Sequence, residues 1–179
     1  MTNTLFPDAV ITGELLEHLR LPGLDRYELV EGRIEVLTPT NLYHAEATVR
    51  IAALLLNRMP GWHILGGDPG VYVHRQPDTV RGPDVIAISD ERFQQRDRGR
   101  AFLTVMPELI VEITSPSNED EDIKRKVAEY VRAGAIVWVV NLDTRRVTVT
   151  DQAGSTDCME GDHLRLPNGD RIAVAHIYD

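Results

Sequence analysis

Glu108-Leu109-Ile110-Val111-Glu112-Ile113, preceded by Arg81-Gly82-Pro83-Asp84-Val85-Ile86-Ala87-Ile88, puts a carboxylate at an end of each of two apolar runs. Short apolar runs of this kind read as strands with both faces buried. Asp84 and Glu112 lie 28 positions apart, on strands that one mixed sheet can set side by side. Their carboxylates then converge and repel, and Mg²⁺ relieves that repulsion while keeping several of its own waters. The carbonyl of Ile113 offers a further oxygen. Taken alone, Asp84 reads better as a residue that merely begins a strand after Pro83, and Glu112 as the exposed phase of an edge strand. The apolar neighbours Ile110, Val111 and Ile113 shift the balance toward burial, where an unpaired carboxylate is costly.

Further out, Ala9 to Leu21 carries a short helical pattern that stops at Pro22-Gly23. Tyr27 to Leu37 reads as two strands turning at Glu31-Gly32. Leu42 to Asn57 is helical, with Ala45, Val49, Ala52, Ala53 and Leu56 on one side, and ends at Pro60-Gly61. Trp62 to Val73 suggests one strand interrupted by a bend. Ser89 to Leu103 is a polar, Arg-rich loop or short irregular helix. Ser115 to Asn118 stops a strand and caps a helix running to Arg132 or Ala133, with Gly134 as its C-terminal cap. Ile136 to Val140 is a doubly buried strand, Arg146 to Thr150 a half-exposed one, and Arg171 to Val174 adds a last strand. The expected fold is α/β (α+β), a mixed β-sheet flanked by helices with β extensions at the N- and C-terminal ends.

At 179 residues the chain has the length of one domain, taken here as 1–179. No apolar run is long enough to cross a bilayer and Met1-Thr2-Asn3-Thr4 lacks a secretory pattern, so no membrane is expected and the cytoplasm is the default location. Cys158 is the lone cysteine and has no metal-finger spacing around it. A net charge of −9 counts against generic nucleic-acid binding. Local positive charge would offset it, and the candidates are Arg92 to Arg100, Lys124-Arg125-Lys126 and Arg145-Arg146. Each taken alone reads as solvated surface.

Lys124 and Lys126 are the only lysines, against seventeen arginines. The apolar stripe of their helix runs through Ile123, Val127, Tyr130 and Val131, with Lys126 on one margin and Lys124 on the other. Periodicity does not choose between them. Both also fit an exposed helix flank, with Asp122 and Lys126 as an i,i+4 ion pair.

Tyr27-Glu28-Leu29-Val30-Glu31-Gly32-Arg33-Ile34, His44 at a helix start, Arg81-Gly82-Pro83-Asp84, Val111 to Ser117, Asp122 with Lys126 and Tyr130, and Trp138-Val139-Val140 occur in an order and spacing that resembles the Uma2 family of the PD-(D/E)XK nuclease superfamily. The resemblance spans about 25–150. It implies a restriction-endonuclease-like core with Mg²⁺, or Mn²⁺, on Asp84 and Glu112. Thr114 stands where the superfamily signature has its lysine, and the Asp-x-x-x-Lys-x-x-x-Tyr pattern implies that Lys126 supplies the ammonium, ahead of Lys124. Glu31 and His44 form a second tier. The resemblance turns Glu31 toward the metal, while a hydrophilic turn residue is the plain alternative. His44 would contact phosphate, orient a carboxylate, or simply cap its helix. His63, His74, His163 and His176 show no ligand spacing.

The expected function is a metal-dependent endonuclease acting on nucleic acid, DNA in the first instance, with Lys126 assisting. Rivals are an inactive nucleic-acid-binding or regulatory protein on the same fold and a hydrolase of other phosphate esters. A homodimer through edge strands or the Trp138 strand is a further expectation.

Overall fold

The computed structural model describes residues 3–5, 10–19, 26–114 and 120–179. The helix stop at Pro22-Gly23 and the cap at Ser115 to Asn118 lie outside the described residues. Two sheets and a small hairpin carry the chain. The first sheet has the order β1 (Asn3–Leu5), β3 (Arg33–Val36), β2 (Tyr27–Val30), β6 (Thr79–Arg81), β5 (Val71–His74). The second has the order β11 (Gly154–Cys158), β10 (Arg146–Asp151), β9 (Ile136–Asn141), β8 (Leu109–Thr114), β7 (Val85–Ser89), β4 (Trp62–Gly66). Strands β12 (His163–Arg165) and β13 (Arg171–Ala173) form the hairpin. The helices are α1 (Gly13–His18), α2 (Leu42–Arg58), α3 (Asp90–Gln94), α4 (Asp120–Arg132) and α5 (Ala175–Tyr178).

Among the named strands of the described residues, β8 and β9 are the one pair that runs parallel, and α4 lies in their crossover. Parallel neighbours need such a connection. Its end is explained locally: Gly134 adopts φ +100, and the N–H groups of Gly134 and Ala135 bond to the carbonyls of Val131 and Tyr130. The six-stranded sheet is covered on both faces, which is why its central strands are apolar without alternation. Val85, Ala87, Leu109, Val111, Ile113, Trp138 and Val140 meet Ala47, Ile51 and Leu55 of α2. Ile86, Ile88, Ile110 and Val137 face the other way, toward Tyr130 of α4. Leu164, Leu166, Ile172, Val174 and Ile177 join the α2-side core, so the C-terminal hairpin and α5 are part of it.

Several expectations change. The six-stranded sheet is the mixed sheet expected, a second sheet stands beside it, and Trp62 to Val73 is divided between the two rather than forming one bent strand. After β4 the chain leaves through Gly67, Asp68, Pro69 and Gly70 and starts β5 in the other sheet. Strands β6, β11 and β12 carried no clear apolar signal. The side of α2 bearing Ala45, Val49, Ala53 and Leu56 faces solvent, and the core is met by Ala47, Ile51 and Leu55. Trp138 is inside the sheet, between β8 and β10, so it offers no edge to a second chain. The turn at Glu31-Gly32 forms as expected, with φ 49 and 75. No helix among the described residues is long and apolar enough to cross a membrane.

Candidate active site

The antiparallel register of β7 and β8 sets Val85 opposite Val111, and the next pair outward is Asp84 and Glu112. Residues directly opposite share a face, so the register itself brings the two carboxylates together. Both are buried. The Ile113 N–H donates to Asp84 Oδ2 at 2.7 Å, and His44 Nε2 lies 3.2 Å from Asp84 Oδ1. His44 therefore does not cap α2; the Asn41 side chain does, accepting from the His44 N–H at 3.0 Å.

Helix α4 lays two further groups on Glu112. The Tyr130 hydroxyl donates to Glu112 Oε1 at 2.9 Å, and Lys126 Nζ is 3.8 Å from Glu112 Oε2. Lys126 is buried and has a shorter partner, Glu28 Oε1 at 2.9 Å. The periods of 3.6 and 2 explain this convergence: Lys126 and Tyr130 are i,i+4 on the helix face that meets the Glu112 phase of β8. Asp122 does not pair with Lys126; it pairs with Arg125 at 2.7 Å, and Arg125 also reaches Glu35. Lys124 is 69% exposed and pairs with Glu121, away from the carboxylates. Glu31 is exposed at its turn and makes no hydrogen bond or ion pair with Asp84, Glu112 or Lys126 among the described contacts.

Glu28 occupies the place expected for Glu31. It accepts from Lys126, from Arg81 Nη1 at 2.8 Å and from the Gly82 N–H at 3.0 Å. Arg81 has no exposed surface and forks onto Glu129, through Nε at 2.7 Å and Nη2 at 2.9 Å. This network joins β2 and β6 of one sheet to β8 and α4 of the other layer. Sequence reasoning missed Glu28, Arg81 and Glu129 as functional. The signal was present at Glu28, whose neighbours Leu29 and Val30 argue for burial as Glu112's neighbours do.

The electrostatics are lopsided. Burial, opposed by the Lys126 ammonium and reinforced by the charges of Asp84 and Glu28, pushes Glu112 up to about 8; the Tyr130 hydroxyl pulls the other way. Burial alone would raise Glu28, but Lys126, Arg81 and the Gly82 N–H outweigh it and hold it below the ordinary carboxylate range. The Lys126 ammonium, disfavoured by burial, is held charged by Glu112 and Glu28, and its pKa is raised. Four carboxylates, Asp84, Glu112, Glu28 and Glu129, gather around Lys126 and Arg81, with the His44 ring beside Asp84 and the Asp68-paired Arg26 acting on Asp84 and Glu28 from farther off. Carboxylates outnumber cations in this cluster, and a bound cation would relieve their mutual repulsion. Among the described residues no three His, Cys, Asp or Glu side chains form a ready cage. A hard ion held by two carboxylates and waters fits this donor set, as Mg²⁺ sites commonly do.

Two predictions arise here. Arg81→Met leaves Glu28 and Glu129 facing each other without their shared cation, and removing one partner of a buried ion pair costs roughly 3–5 kcal/mol. Chemical denaturation of the variant should show a lower midpoint at unchanged slope. Because Glu112 is raised in the folded state, folding favours its protonated form. Its contribution is present below the ordinary value of 4.5 and is lost as pH rises toward about 8. Thermal melts of metal-free protein should fall over that window, and saturating Mg²⁺ should flatten the fall.

The positive stretches turn out to be largely neutralised within the chain. Arg92 pairs with Glu108, Arg100 with Glu14, and Arg145 with Glu160 and Asp179.

No curated protein matches the chain. A crystal structure described as a "putative nuclease belonging to DUF820", from Anabaena variabilis ATCC 29413, is similar in fold, with a TM-score of 0.77 at 14% identity over 94% of this chain and 97% of that one. A family model, "Uma2: Putative restriction endonuclease", matches residues 14–170. That match spans most of the chain, and the chain belongs to the Uma2 family.

Proposed function

We propose that the protein is a divalent-metal-dependent nuclease, with Asp84 and Glu112 as metal ligands and Lys126 as the assisting cation. One observation carries this reading: a buried carboxylate pair on adjacent strands, with a buried lysine ammonium beside it. Membership of a family described as restriction endonucleases supports nucleic acid as the substrate, and DNA is the first choice. Mg²⁺ is the preferred ion, with Mn²⁺ as substitute. When bound, it supplies Lewis-acid polarisation of a phosphoryl oxygen and a lower pKa for water.

The protein's own groups do the rest. Asp84 is held by the Ile113 N–H on one oxygen and by His44 on the other. Glu112 is fixed by Tyr130 and Lys126. Lys126 stays charged at neutral pH and lies beside the carboxylate, where it stabilises negative charge developing on phosphate. Glu28 positions that ammonium, and Arg81 holds Glu28 in place. Lys124 and Glu31 take no part.

The deciding experiment pairs calorimetric titration of Mg²⁺ and Mn²⁺ with cleavage assays on DNA, RNA and a small phosphodiester. Metal binding with polymer cleavage supports the proposal. Metal binding without any turnover sinks it in favour of a binding or regulatory protein. The neutralised arginines and net charge of −9 favour one other reading, a hydrolase of small phosphate esters. Turnover of the small ester alone would establish that reading.

A further inference from the structure

Helix α2 is apolar on two sides. Its inner side carries Ala47, Ile51 and Leu55 into the core. Its outer side exposes Leu42 (77%), Tyr43 (72%), Val49 (71%) and Leu56 (57%), with Ala45 and Ala53 also exposed between them. Glu46 and the half-buried Arg50, paired with each other, are the ionised side chains beside these positions. A surface helix of a monomer normally turns charge outward, and a contiguous apolar patch marks an interaction site.

The order of residues along this face says what fits it. Counted from Val49, leucines stand seven positions away on each side, at 42 and 56, and alanines four positions away on each side, at 45 and 53. The pattern is a palindrome about Val49. A two-fold interface must be self-complementary, each residue meeting its counterpart reciprocally.

We infer that the outer face of α2 binds a second copy of this chain, packed antiparallel with the two-fold axis at Val49. Leu42 then meets the partner's Leu56, Ala45 meets the partner's Ala53, and Val49 meets itself. The small alanines let the helices approach to about 8 Å, the close end of helix packing. Charge also fits: Glu46, which pairs with Arg50 of its own helix at 2.9 Å, lies close to the partner's Arg50 across the axis. The inference does not depend on the metal chemistry. A 17-residue helix is about 25 Å long, so this contact falls below the roughly 800 Å² per partner of a standard interface. The association is therefore expected to be weak, with a dissociation constant on the order of 10 µM.

Sedimentation velocity of the full chain from about 1 to about 200 µM brackets that constant. The wild type should pass from monomer to dimer. Val49→Glu, which sets two carboxylates face to face on an exposed surface, should raise the constant at least about tenfold with the fold unchanged by circular dichroism. The register is read separately by oxidation in a Cys158→Ser background. Val49→Cys should cross-link to itself, whereas Ala45→Cys and Ala53→Cys should cross-link only when mixed, since a disulfide needs Cα atoms about 5.5 Å apart. A wild type monomeric throughout overturns the inference and leaves the face to another occupant. A dimer that survives Val49→Glu overturns it in favour of another surface, such as the exposed β11 edge. Self-cross-linking of Ala45→Cys overturns the antiparallel register.

Discussion

Asp84→Ala is expected to abolish divalent-cation binding and phosphodiester cleavage together. The carboxylate is buried beside Glu112 and accepts from the Ile113 N–H and the His44 ring, so no surface group can replace it. Losing a metal ligand forfeits several kcal/mol of transition-state stabilisation, and each 1.36 kcal/mol is tenfold in rate, so cleavage should fall by about 10³ or more. The stability of the metal-free protein should move the other way. Asp84 is one of the charges that push Glu112 up, and its removal relieves that repulsion. A variant that loses cleavage, loses metal heat and melts no lower than metal-free wild type fits the proposal. Full metal binding in Asp84→Ala would place the ion elsewhere.

Lys126→Met separates positioning from ligation. The substitution nearly conserves length but leaves Glu28 and Glu112 without their ammonium in a buried site. Breaking such a pair should cost roughly 3–5 kcal/mol in metal-free protein. Mg²⁺ should restore part of that loss, because it supplies positive charge to the same carboxylates. Cleavage at saturating metal should fall by about 10²–10³, the scale of losing one electrostatic stabiliser of the transition state. Lys124→Met, whose side chain pairs with exposed Glu121, should change neither quantity measurably. Equal effects of the two substitutions on cleavage would remove Lys126 from the chemistry.

These contrasts show what the sequence made legible. Asp84 and Glu112 stood out because apolar neighbours announced their burial, and burial gives a carboxylate few options. Lys126 could not be separated from Lys124 by helical periodicity, since each flanks the apolar stripe. What separates them is Glu28, a residue 98 positions away on another strand. Such non-local partners have no periodic signature. Glu31 was singled out by the family resemblance, and its plain alternative, a hydrophilic turn residue, fits its exposure; Glu28, three residues earlier on β2, is the carboxylate covered by Arg81 and Lys126. The helical span of α2 was legible and its inner face was not, because apolar residues recur on both sides. Likewise Gly67 to Gly70 read as a bend within one strand, although the chain changes sheets there.

The Glu28–Arg81–Glu129 network has a consequence for any attempt to shorten the protein. A fragment beginning after β3 would retain Asp84, Glu112 and Lys126, the residues named for the chemistry, and most of the six-stranded sheet. It would nevertheless carry a buried guanidinium and a buried ammonium stripped of the carboxylate that they share. The minimal working unit is thus set by electrical neutrality as well as by hydrophobic closure, and its N-terminal limit lies before Glu28.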